Sequence, residues 1–273
     1  MSGFRKTADR GVKYMELSVC GCRIHATLQG SGPQRVVLLH GWGCSSELMQ
    51  PLSNALKTSM QVLSFDFPGF GQSSRPPEPW GVPEYARMLE QLLRQLDLIP
   101  CDVIAHSFGA RIAIFLASSN HSLFRRMVLT GAAGIRPPQS EEARKRSEEF
   151  KKLKKIAETL RSAKVFGSLP DRLEDKIRQK YGSRDYNALD AEMRKTFVRV
   201  IGLDLSERLP EIHVPTLLIW GDQDTETPLW MGQQMEHAIA DSGLVVFEGG
   251  THFAYLEQQD RFHAIVRHFL LED

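Results

Sequence analysis

Val103-Ile104-Ala105-His106-Ser107-Phe108-Gly109-Ala110 decides how the rest of the chain is read. A short apolar run rich in β-branched residues ends on a serine, and a helical pattern over residues 107–117 starts there without a gap. A chain that goes from buried strand to helix in one residue must turn sharply. Such a turn holds Ser107 in a strained conformation with its hydroxyl raised above the strand's carboxyl end. It also crowds the positions two before and two after the serine, and these are Ala105 and Gly109. The pattern is the G-x-S-x-G turn that exposes a nucleophile, with alanine for the first glycine. A serine that merely caps the following helix would suit the same residues, so the flanking sequence has to choose.

Working outward, short runs rich in Val, Ile and Leu recur at residues 35–39, 61–65, 102–105, 126–129, 216–220 and 244–247. They lack clean alternation, as expected of strands buried on both faces. Helical patterns at 83–96, 107–117, 229–240 and 258–271 fall between them. Strands alternating with helices predict a mostly parallel sheet covered on both sides. Residues 16–19 and 23–28 flank Gly21 and predict an opening antiparallel hairpin. The rhythm breaks at about 135–210, where helices are expected over 141–164, 171–180 and 187–201 among many charges. This stretch is read as an all-helical insert between two strands, with residues 1–134 and 211–273 forming the core. Its basic tint is read as a solvated face.

A serine hydroxyl needs a base to take its proton, and the base needs a third group to fix its tautomer. Two later strands end in loops with suitable residues. Thr216-Leu217-Leu218-Ile219-Trp220 leads into Gly221-Asp222-Gln223-Asp224 and then Pro228; Leu244-Val245-Val246-Phe247 leads into Glu248-Gly249-Gly250-Thr251-His252. Open α/β sheets build their sites on this edge. Of the nine histidines, His252 alone sits in a glycine-led loop directly after a strand. Asp222 and Asp224 compete for the acid's place. Asp224 is preferred, because the longer loop can turn back toward the histidine. Attack on a carbonyl also requires donors for the developing oxyanion. The Phe108 amide is one candidate. The loop His40-Gly41-Trp42-Gly43, after an early strand, offers the Trp42 amide as the second.

Taken together, these motifs resemble the α/β-hydrolase superfamily over nearly the whole chain. His40–Gly43 is similar to its oxyanion loop, and Asp66-Phe67-Pro68-Gly69-Phe70-Gly71-Gln72-Ser73 to its D-x-P-G-x-G-x-S turn. Ala105–Gly109 resembles its elbow, Gly221–Asp224 with Pro228 its acid loop, and Gly250–His252 with Glu257 its histidine loop. The resemblance implies an α/β-hydrolase fold: a mostly parallel eight-stranded sheet flanked by helices, with a helical cap inserted at 135–210. It implies a triad of Ser107, His252 and Asp224 cleaving a small carboxylic ester through an acyl-enzyme, with no metal or organic cofactor. A serine nucleophile argues against epoxide hydrolases and haloalkane dehalogenases of this fold. Carbon–carbon bond hydrolases carry tryptophan after the catalytic histidine, whereas this chain has Phe253. Esters therefore rank first. Cleavage of vinylogous diketones or lactones comes next, and a non-catalytic small-molecule receptor last.

The bulk properties agree with this class. The chain has 273 residues, 42% of them hydrophobic and 25% charged, with a net charge of +1. That is enough for one sizeable core, and the balance gives no electrostatic footprint for nucleic acid or an anionic membrane. Residues 1–14 are polar and carry Arg5, Lys6, Arg10 and Lys13, unlike a secretory signal. No run reaches the roughly 20 apolar residues of a membrane span. The expectation is a cytoplasmic protein. Cys20, Cys22, Cys44 and Cys101 are read as free thiols, with Cys20 and Cys22 facing the same way along one strand and too poorly placed to bridge. The oligomeric state is left open.

Overall fold

The computed structural model of the chain describes residues 11–136, 141–162, 176, 180 and 184–272. Contacts divide the chain into two compact units, Met1–Ile135 with Val198–Asp273, and Arg136–Phe197.

The first unit is built on an eight-stranded sheet. Its strands are β1 Val12–Val19, β2 Cys22–Gln29, β3 Gln34–Leu39, β4 Met60–Phe65, β5 Cys101–His106, β6 Phe124–Thr130, β7 Thr216–Gly221 and β8 Ser242–Phe247, in the order β1-β2-β4-β3-β5-β6-β7-β8. β1 with β2 and β2 with β4 pair antiparallel; every later pairing is parallel. This is the mostly parallel sheet that the alternation of strand and helix predicts, and the eight-stranded α/β-hydrolase architecture that the resemblance implies. The central strands β5 and β7 bury all six of their residues, which explains why neither shows an alternating pattern.

Helices cover both faces. On one, α1 (Gln50–Leu56) and the C-terminal α9 (Gln259–Leu271) supply Leu52, Leu56, Phe262, Val266 and Leu270 to a cluster with Val36, Leu38, Val62, Ile104, Val128 and Ile219. Each such side chain fully buried stabilises the fold by about 1.5–3 kcal/mol. On the other, α2 (Val82–Gln95) and α3 (Phe108–Ala117) pack together, with α7 (Leu229–Ala238) against Trp220 and Leu244. A short α8 (Ala254–Glu257) precedes α9.

Two expectations are corrected. β8 is not buried on both faces: only Phe247 is fully buried there, because β8 is the sheet's last strand and, among the described residues, nothing pairs with its outer side. Cys20 does not lie in a strand with Cys22. Val19 pairs with Cys22, so Cys20 and Gly21 form a two-residue turn with φ of 49° and 77°. Both values lie in the left-handed region that a tight hairpin demands. All four cysteines are free.

In the second unit, the helix expected from residue 141 runs as α4, Glu141–Ser162. The helix expected at 171–180 lies outside the described residues, apart from positions 176 and 180. The one expected over 187–201 is broken into α5 (Arg184–Ala188) and α6 (Ala191–Gly202), the latter crossing into the first unit. The break falls at Asp190, whose Oδ1 accepts the Glu192 and Met193 N–H groups at 3.0 and 3.1 Å. A carboxylate on these first amides starts a new helix. Among the described residues, no helix is long and apolar enough to cross a membrane.

Candidate active site

β5 ends at His106, α3 begins at Phe108, and Ser107 alone makes the turn with φ 51° and ψ −108°. A non-glycine residue is held there only when its surroundings over-determine it, at a cost of roughly 1–3 kcal/mol. Three backbone bonds do so. Ser107 N–H donates to Thr130 O at 3.2 Å, and Ser107 O accepts from Arg111 N and Ala133 N, each at 3.2 Å. The glycine two residues on is a packing requirement. A β-carbon at Gly109 would lie 2.7 Å from both Leu39 Cβ and Leu39 O, so the first turn of α3 rests directly on the end of β3.

The loop after β3 lies against this elbow. A β-carbon at Gly41 would approach His106 Nδ1 to 2.8 Å and Ser107 Cβ to 3.5 Å. His40 is fully buried, and its Nδ1 lies 2.7 Å from Gly41 O while its Nε2 takes the Phe67 N–H at 3.0 Å. A carbonyl can only accept, so His40 carries its proton on Nδ1. Burial pushes its pKa down to about 4 and keeps it neutral. Gly41 O also accepts Cys44 N–H. The 41–42 peptide is trans, so the Trp42 N–H points away from that anchored carbonyl. The Trp42 ring meets Phe70 and Phe108 edge-on at 4.9 and 5.3 Å.

Asp224 and His252 meet from loops 28 residues apart, with His252 Nδ1 2.8 Å from Asp224 Oδ2. Asp224 is 5% exposed. Its Oδ1 takes the Glu226 and Thr227 N–H groups, both at 2.9 Å, and the Thr227 hydroxyl donates to Oδ2 at 2.8 Å. Burial pushes this carboxyl's pKa up, but the bonds from His252 and from Thr227 outweigh it and hold the group below the usual carboxylate range. Asp224 is therefore an anion at neutral pH. Gly131, at φ 50°, directly follows the Thr130 carbonyl that anchors Ser107. A β-carbon there would sit 3.1 Å from His252 Nδ1 and 3.3 Å from Asp224 Oδ2. Ser107, Asp224 and His252 thus converge on the carboxyl edge of β5, β6 and β7. Among the described residues no hydrogen bond joins Ser107 to His252. Asp222 turns elsewhere: its Oδ1 accepts Gly249 N–H at 2.8 Å, bracing the histidine loop from outside.

Two neighbours were not singled out from sequence. His106, 1% exposed, approaches His252 O with Nε2 at 3.0 Å, so Nε2 bears its proton. Its ring packs 4.7 Å from that of His252, and burial drives its pKa down to about 3. Thr227 is the hydroxyl on Asp224. Its only sequence signal is the Asp-x-x-Thr spacing, which elsewhere marks an ordinary turn.

Comparison with known proteins agrees with the fold. The model of the alpha/beta hydrolase family matches residues 36–265. A pimeloyl-[acyl-carrier protein] methyl ester esterase of Neisseria meningitidis serogroup C / serotype 2a is 27% identical over 253 residues, covering 87% of this chain and 93% of that protein. A 2-hydroxy-6-oxononadienedioate/2-hydroxy-6-oxononatrienedioate hydrolase of Escherichia coli O81 is 27% identical over 270 residues, 91% of each chain. The crystal structure of the enol-lactonase from Burkholderia xenovorans superposes with a TM-score of 0.72 at 22% identity, covering 94% of this chain and all of that one. The family match runs from β3 into α9 and takes in the elbow and both converging loops, and the chain belongs to the alpha/beta hydrolase family.

Proposed function

We propose that this hydrolase cleaves small carboxylic esters by two-step acyl transfer. Ser107 attacks the carbonyl carbon while His252 Nε2 takes the hydroxyl proton, and Asp224 stabilises the imidazolium that forms. The oxyanion rests on the amides of Phe108 and Trp42. The alcohol leaves with the proton from His252. Water, deprotonated by the same ring, then attacks the acyl-enzyme and releases the acid and Ser107. Side chains and backbone amides supply every step.

The observation that carries this reading is the His252–Asp224 pair at 2.8 Å, its carboxylate buried and its imidazole half-buried, set beside a serine strained at φ 51° on the same sheet edge. A receptor needs neither the strain nor the proton relay. His40 supports the oxyanion assignment, since anchoring Gly41 O turns the Trp42 amide away from itself. A methyl ester is also the bond named for the Neisseria relative. The insert expected at 135–210 is proposed as the helical cap that shapes substrate choice; the second compact unit, Arg136–Phe197, falls within it. The unbridged cysteines fit a reducing, cytoplasmic compartment.

The test is Ser107→Ala assayed with short-chain p-nitrophenyl esters. Loss of at least about 10⁴ in kcat is expected, and undiminished turnover removes Ser107 from the chemistry. Carbon–carbon cleavage is the second reading, favoured by the E. coli relative of equal identity. A vinylogous diketone turned over faster than every ester in a graded panel would replace the first reading with the second.

A further inference from the structure

The proton relay leaves one buried hydroxyl without a task. Thr227 is 6% exposed, and its backbone is fixed independently of its side chain. Its carbonyl accepts the Trp220 indole N–H at 2.6 Å, and its N–H donates to Asp224 Oδ1 at 2.9 Å. The hydroxyl is therefore not needed to hold the loop. It lies 2.8 Å from Asp224 Oδ2 and 3.2 Å from His252 Nδ1.

A hydroxyl has one proton to give. Asp224 is an acceptor only, so the Thr227 proton goes to Oδ2 and a lone pair turns toward His252 Nδ1. A nitrogen facing both that lone pair and a carboxylate oxygen must itself carry a proton. The second proton site, Nε2, is then left open to act as a base. The same bond draws off part of the charge that Asp224 presents to the ring.

Building on the triad reading, we propose that Thr227 is a positioning residue of the relay: its hydroxyl locks His252 in the Nδ1–H tautomer and moderates the pull of Asp224 on the imidazolium. Without the hydroxyl, Asp224 attracts the protonated ring more strongly. The other titratable groups around the pair leave this balance to Thr227. His106, packed on His252 from the elbow, and His40 behind it in the oxyanion loop are held neutral by burial. Burial also pushes the Tyr255 phenol, its ring tilted against His106, upward and keeps it neutral. Asp222 and Glu226 of the acid loop and Glu257 behind the histidine loop are exposed to solvent, which screens them.

The test follows covalent labelling of Ser107 by a fluorophosphonate, read by intact mass across pH 5–9. It compares wild type, Thr227→Val, which keeps the shape and loses the hydroxyl, and Thr227→Ser, which keeps the hydroxyl and loses a methyl. For Thr227→Val the midpoint of the pH–rate curve is expected to move up by about half to one pH unit, with the plateau rate down by about tenfold. Thr227→Ser should stay within about threefold of wild type at an unchanged midpoint. A valine variant matching wild type in both readouts overturns the proposal, as does a serine variant as impaired as valine, which would assign the effect to methyl packing. Melting curves verify folding, and Thr227→Ala takes the place of valine if that variant fails to fold. Wild-type protein whose Ser107 is not labelled at all refutes the triad reading itself, a separate outcome.

Discussion

Asp224→Asn exchanges one oxygen for an NH₂ group at nearly constant size, and the surrounding bonds dictate which oxygen is lost. Two backbone donors, Glu226 and Thr227 N–H, converge on Oδ1 at 2.9 Å. The asparagine keeps its only carbonyl oxygen there. Its amide nitrogen then occupies the Oδ2 position, 2.8 Å from His252 Nδ1. Two donors cannot share that contact, so His252 releases the Nδ1 proton and carries it on Nε2, the atom meant to receive the proton of Ser107. A wrong-tautomer lesion of this kind costs about 10⁴ in kcat, or ~5.4 kcal/mol of barrier. The backbone bonds to Oδ1 survive, so the melting temperature should move little. The assay compares wild type, Asp224→Asn and Asp222→Asn, both for p-nitrophenyl ester hydrolysis and for fluorophosphonate labelling of Ser107. Asp222 is exposed, and among the described residues its side chain accepts only Gly249 N–H, a bond an asparagine oxygen retains. Its variant should stay within about threefold of wild type. An Asp224→Asn enzyme within tenfold of wild type, or an equal loss in Asp222→Asn, refutes the reasoning.

Gly109→Ala should destabilise the elbow. The added carbon meets Leu39 Cβ and O at 2.7 Å and His40 O at 2.8 Å, mostly backbone that cannot swing aside. Overpacking of this kind costs about 1–3 kcal/mol, which predicts a melting temperature lower by roughly 3–10 °C; an unchanged melting curve contradicts the packing described. His40 and His106 also predict acid sensitivity. Their folded values of about 4 and about 3 lie below the unfolded value near 6.5, so the unfolded chain binds the extra protons. The stability they contribute is complete above pH 6.5 and is lost as pH falls toward 4. Each contributes up to about 1.4 kcal/mol per pH unit. Urea unfolding at pH 7.5, 6 and 5 measures this slope, and His106→Gln should flatten it. Equal slopes in the two proteins would count against a buried neutral His106.

Local chemistry made much of the fold readable. A buried strand forced into a helix at Ser107, apolar runs with no alternation, and glycine-led loops after two strands are all consequences of neighbouring residues. They were enough to call for a parallel sheet flanked by helices and to name Ser107, Asp224, His252, Phe108 and Trp42 as candidates. Tertiary structure decided what depends on partners far away in the chain. β8 looks like the other strands in sequence, yet its burial is set by its place at the sheet edge. Cys20 became a turn residue only because Val19 pairs with Cys22. Asp222 and Asp224 are two residues apart in one loop, and only the fold shows Asp224 turned to His252 and Asp222 to Gly249. His106 and the His252 carbonyl, 146 residues apart, and the Thr227 hydroxyl between acid and histidine leave no periodic or compositional trace. Hydrophobic pattern and turn chemistry are written along the chain, whereas a hydrogen bond between distant loops depends on a register that the whole sheet must set first.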